Sequence, residues 1–194
     1  LTDFVNHMPE SILIPDAYNK LVLTSDSLKQ KGVAVQDMEN FAIACHTKSA
    51  FVAAHPEAAK TCLDTLQKTS LTLAEKWLKI WNKNPYDETF IISAEKAFEV
   101  YLRFQKESEE YVKAHYLYAE LLFKIKKYRE ASVQYALIGA KFKDKLGHDA
   151  SYAACVSLEK AVGDKWSDKD ENNFHTLAQT YVTNQPKGAF RLEL

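Results

Sequence analysis

Val112–Lys143, VKAHYLYAELLFKIKKYREASVQYALIGAKFK, holds the pattern from which the fold is read. Tyr118, Ala119, Leu122 and Ile125 follow one another at helical spacing, and Lys126-Lys127 then interrupts the apolar stripe. Tyr128-Arg129-Glu130-Ala131 opens a second stripe that reaches Tyr135. Two amphipathic helices joined by a short polar turn satisfy this pattern. The same features recur outward from it. Ala97 and Tyr101 return as Ala131 and Tyr135, while Tyr118, Ala119 and Leu122 return as Tyr152, Ala153 and Val156, both sets 34 residues apart. Self-similarity at such a period marks repeated helix pairs.

The rest of the chain reads as further helices. Tyr18, Leu21 and Val22, then Met38, Phe41, Ala42 and Cys45, then Leu63, Leu66, Leu73, Trp77, Leu78 and Trp81 keep spacings of three and four. Breaks fall at Lys31-Gly32, His55-Pro56, Asn84-Pro85, Gly139 to Gly147, Gly163-Asp164 and Pro186. The expectation is an all-α chain of about eight helices. Residues 1–16, punctuated by Pro9 and Pro15, read as an extended lead-in; 17–85 as a helical part without repeats; 86–194 as the repeat region. Ala189-Phe190-Arg191-Leu192-Glu193-Leu194 resembles the first turns of another helix, so the native chain is expected to continue past Leu194.

Composition removes several classes of function. Of 194 residues only five are Gly, below the usual share of about 7 %, which disfavours tight hairpins and phosphate-cradling glycine loops. Lys and Arg number 25 against 26 Asp and Glu, so nucleic acid would have to be held by a local patch. Runs such as Phe41–Cys45 and Ala50–Ala54 fall far short of a bilayer span of about 20 residues. Cys45, Cys62 and Cys155 are odd in number, widely spaced and without a C-x-x-C pair, and are expected to be buried free thiols.

With Ala119 and Ala131 at small positions, and Tyr118, Leu122, Tyr128 and Tyr135 at large ones, Val112–Lys143 resembles a tetratricopeptide repeat. The likeness extends over residues 86–194, and 97–119 is also similar to tetratricopeptide scaffolds of the bacterial cell envelope. It implies a right-handed superhelix of antiparallel helix pairs, an α-solenoid. Its concave face would bind a protein or peptide partner. The family's groove positions fall on Tyr116, Glu120, Phe123 and Lys124, and in the next copy on Ala150, Ala154 and Ser157. Where chaperone-binding members use Lys and Asn to grip a terminal carboxylate, Tyr116 and Glu120 stand instead, which argues against carboxylate-tail recognition and for an aromatic-anchored groove.

No pattern for chemistry competes with that reading. Cys45 and His46 are neighbours on a predicted helix and point about 100° apart, too divergent for a nucleophile and its base. No histidine pair has the spacing of metal ligands on one helix. Asp164–Glu171 lacks the glycine and final Glu of a calcium loop and fits an N-cap at Ser167 or Asp168, with Asp170 and Glu171 in the first turn. Trp77 and Trp81 are expected to form a buried stripe. The expected protein is a non-enzymatic adaptor with no cofactor, metal or small-molecule substrate, in the cell envelope or the cytoplasm, with a membrane-associated or multiprotein complex as an expected setting. The alternative is a nucleic-acid-binding helical repeat using Lys124, Lys126, Lys127 and Arg129 with Lys76, Lys79 and Lys83.

Overall fold

The computed structural model describes residues 1–104 and 108–184, and every regular element among them is helical. Ten α-helices are present: α1 (Thr2–His7), α2 (Ile14–Ser27), α3 (Lys31–Ala44), α4 (Ala50–Ala54), α5 (Ala59–Lys83), α6 (Glu88–Phe104), α7 (Glu109–Lys124), α8 (Tyr128–Lys141), α9 (Lys145–Val162) and α10 (Asp168–Asn184), with a 3-10 turn at Pro56–Ala58. The chain is all-α, with two short helices more than the periodicity suggests. One is α1, inside the stretch expected to be extended. Pro9 stops it but leaves the six residues before it free to coil, and Pro15 occupies the first turn of α2, where its missing N–H costs nothing. The other, α4, is capped by Ser49 Oγ accepting from the Val52 amide at 3.1 Å. Gly32 lies inside α3, and the break expected there falls just before it, at Lys29, whose φ is 60°. Pro186 and Ala189–Leu194 lie outside the described residues.

The contacts divide the chain into two units, residues 1–106 and 107–194. α6, which the sequence reading groups with residues 86–194, packs on α3 and α5 of the first unit. In that unit α2, α3, α6 and α5 pack in a closed ring. Trp77, Phe41, Phe98, Tyr101, Met38 and Leu66 on these helices are fully buried, as is Phe51 of α4. Of the expected tryptophan stripe, Trp77 is fully buried, and its indole N–H donates to Asp26 Oδ1 at 2.9 Å, while Lys76 reaches Asp26 Oδ2 at 2.6 Å. Arg103 grips Glu39 with two parallel bonds of 2.7 and 3.0 Å, fastening α6 to α3.

Cys45, at the end of α3, is disulfide-bonded to Cys62 in α5. This corrects the expectation of three free thiols: only Cys155 is free, and it is buried. The bond closes a 17-residue loop containing α4 and the 3-10 turn. An odd cysteine count leaves one thiol over, but does not forbid the other two from meeting.

The second unit stacks its helices in sequence, α7 on α8, α8 on α9 and α9 on α10, with α10 also touching α8. His115 meets Gln134 and Phe123 meets Tyr128, so α7 and α8 run antiparallel. Ser132 donates to the Ala154 carbonyl at 2.8 Å, while Gly139 abuts Ser151, so α8 and α9 are antiparallel too. The core between them consists of Ala119, Leu122, Ala131, Tyr135, Ile138, Ala150 and Ala154. Small residues permit a close approach. A Cβ added at Gly139 would lie 3.0 Å from the Ser151 backbone and nearer still to its Oγ.

Candidate functional site

The residues assigned to a groove on α7 occupy one side of that helix. Ser108 caps it by accepting from the Tyr111 amide at 3.1 Å. The Tyr116 ring is half-buried and meets the Tyr135 ring edge-on at 5.6 Å. Glu120 accepts a hydrogen bond from the Tyr135 hydroxyl. Burial and the nearby Glu120 carboxylate both hold the Tyr135 and Tyr116 hydroxyls above their ordinary pKa, and Asp149 of α9 adds to the effect on Tyr116. Phe123, also half-buried, packs edge-on against Tyr128 at 5.1 Å, and Lys160 Nζ of α9 stands 6.0 Å from its ring centroid. Lys124 is exposed. Tyr116, Glu120 and Phe123 are thus held by partners in α8 and α9 while part of each stays accessible.

Ala150, Ala154 and Ser157 lie elsewhere. All three are completely buried and offer no surface to a ligand. Their displacement follows from the burial register of the two helices. Ala114, His115, Leu121 and Leu122 of α7 are buried, and their buried counterparts in α9 are Ala150, Ser151, Ser157 and Leu158, 36 residues on. The 34-residue spacing applies to α6 and α8, where Ala97, Phe98 and Tyr101 match Ala131, Ser132 and Tyr135, each set buried in its own unit. For α9 that spacing is two residues short, enough to rotate a helix position by about 200° from surface to core. Counted at 36, Tyr116, Glu120, Phe123 and Lys124 correspond to Tyr152, Val156, Glu159 and Lys160, all of them exposed or half-buried.

The basic turn is partly committed to internal partners. Arg129 donates to Asp170 Oδ1 at 2.5 Å, and Ser167 Oγ donates to Asp170 Oδ2 at 2.7 Å. Arg129 and Ser167 bring the Asp170 carboxyl down to about 2. Ser167 also caps α10, accepting from the Asp170 amide at 3.2 Å, as the acidic stretch suggests. The Arg129–Asp170 pair joins residues 41 apart, and nothing in the local pattern of either segment announces it. Beside it a cleft of about 690 Å³ opens between α8 and α10, with Val133, Ala136 and Leu137 on one side, Asn173 and Leu177 on the other, and Leu158 of α9 between them.

Groups with chemical potential are muted or separated. The Cys155 thiol is pushed up to about 11 by burial, which suppresses the thiolate. Burial lowers the pKa of His115, with the Gln134 hydrogen bond acting against it. Among the described residues no group of three His, Cys, Asp or Glu side chains is placed to hold a metal ion, and no helix is long and apolar enough to cross a membrane. Set against models of protein families, characterised proteins and solved structures, the chain has no significant match.

Proposed function

We propose that the second unit is a non-enzymatic interaction module, two tetratricopeptide-like helix pairs that bind a protein or peptide partner along the accessible faces of α7 and α9. The observation carrying this reading is the state of Tyr116 and Phe123. Each ring is half-buried and held edge-on against a neighbouring tyrosine, so each presents apolar surface that loses little side-chain entropy on binding. Glu120 and Lys124 beside them, with Glu159 and Lys160 across on α9, supply charges of both signs to orient a ligand. The second half of the face is thus assigned to Val156, Glu159 and Lys160, while Tyr152, the counterpart of Tyr116, packs against Tyr181 of α10.

A nucleic-acid reading is less well supported, because Arg129 is engaged by Asp170 and Lys76 by Asp26. The Cys45–Cys62 bond favours an oxidising compartment over the cytoplasm, since such bonds persist where thiols are not kept reduced. Affinity capture with the wild-type chain beside Tyr116→Ala/Phe123→Ala tests the reading, with circular dichroism confirming that the variant remains folded. A partner retained by the wild type and lost by the folded variant is expected. Equal recovery on both would remove this face from consideration, and steep loss of binding with added salt on nucleic acid would favour the alternative.

A further inference from the structure

The last described helix of the second unit is fastened differently from the others. Among the described residues of α10, Asp170 and Tyr181 alone are buried, three turns apart, whereas α9 buries seven residues. At one end Asp170 is held by Arg129 and Ser167; at the other the Tyr181 ring rests against Tyr152 at 6.0 Å. Between these points Asn173 and Thr176 border the cleft of about 690 Å³, and half-buried Leu177 adds an apolar contact with the core of α7, α8 and α9. The link into α10 begins at Gly163, exposed, with φ 60° and no neighbouring atom that a Cβ would meet. A helix with so little buried surface belongs at the low end of the range of local stabilities within a fold.

We propose that α10 is a latched strap that detaches from α8 and α9 as a unit, pivoting at Gly163 when the Arg129–Asp170 pair parts, while α7, α8 and α9 stay folded. Detachment would uncover Leu158, buried at the back of the cleft, and the side of α9 on which α10 rests, whereas Val133 and Leu137 on the cleft wall are exposed already. Tyr152 lies on that side, and Cys155 is one helical turn along from it. With Cys45 and Cys62 bonded to each other, Cys155 is the one free thiol and reports the opening directly.

Hydrogen exchange read by mass spectrometry, together with Cys155 labelling by excess aromatic disulfide under non-reducing conditions, tests the strap on the full chain. Amides of α10 are expected to exchange at least about tenfold faster than those of α8, and Cys155 to label at a rate nearly independent of low urea, as local opening requires. Asp170→Asn weakens a charge-assisted pair and is expected to accelerate both by about tenfold while α8 exchange is unchanged. Glu171→Gln, at an exposed neighbouring site, is the control and should change neither. Exchange of α10 and α8 at one common rate, or labelling that rises with urea as steeply as global unfolding, would overturn the proposal. So would loss of α7–α9 protection in Asp170→Asn, which would make the pair part of a single cooperative core.

Discussion

The first unit closes four helices around large side chains; the second stacks helices whose closest seam is lined by small ones. Trp77, Phe41, Phe98 and Tyr101 are buried in the first interior, whereas Gly139, Ser151 and Ala154 line the contact of α8 with α9 in the second. Two routes to dense packing follow from this, and they fail in opposite ways. An interior filled by large residues is damaged by truncation, which leaves a cavity; a seam of small residues is damaged by addition, which forces backbones apart. The disulfide belongs to the first unit alone, where it ties the end of α3 to α5 across a segment containing one short helix and a 3-10 turn.

Substitutions that exploit the difference should separate the units by sign and size. The largest effect is expected from Trp77→Ala, which removes the biggest buried side chain and the indole donor to Asp26; about 3–5 kcal/mol should be lost in urea unfolding followed by circular dichroism. Replacing Cys45 and Cys62 together by Ala should cost about 3 kcal/mol in the same transition, the loop-closure contribution for a cross-link of this span. An unchanged midpoint would mean that the α3–α5 contact is maintained without the bond. Ala131→Leu, at a fully buried seam position, should cost about 1–3 kcal/mol by overpacking α8, and a neutral result would contradict close packing there. The smallest effect has the opposite sign. Gly32→Ala in α3, where nothing stands within 4 Å of the added methyl, should stabilise the first unit by about 0.4–1 kcal/mol.

Much of this architecture was legible from the residues because helices declare themselves locally. The three-and-four spacing placed the long helices, and Ala119 and Ala131 were identified as small core positions from one segment alone. What failed depended on distance. The register of α9 is set by where Gly139 and Ser151 meet, a contact between helices that no 34-residue count contains, so that count points Ala150, Ala154 and Ser157 at a surface they do not reach. The pairs Cys45–Cys62 and Arg129–Asp170 join segments whose own patterns are satisfied without them, as a helix terminus and an N-cap respectively. Of the proposed binding face, the α7 half could be read from the segment. The α9 half needed the burial pattern.

Gly139→Ala tests the small-residue seam most directly, because two physical effects oppose each other at this position. In an unobstructed helix interior, Gly to Ala stabilises by about 0.5–1 kcal/mol through helix propensity. If α8 and α9 meet as closely as the structure shows, the added methyl must push against the Ser151 backbone. The expected result in urea unfolding is a loss of about 1–3 kcal/mol with helix content retained. A gain in stability would contradict the seam.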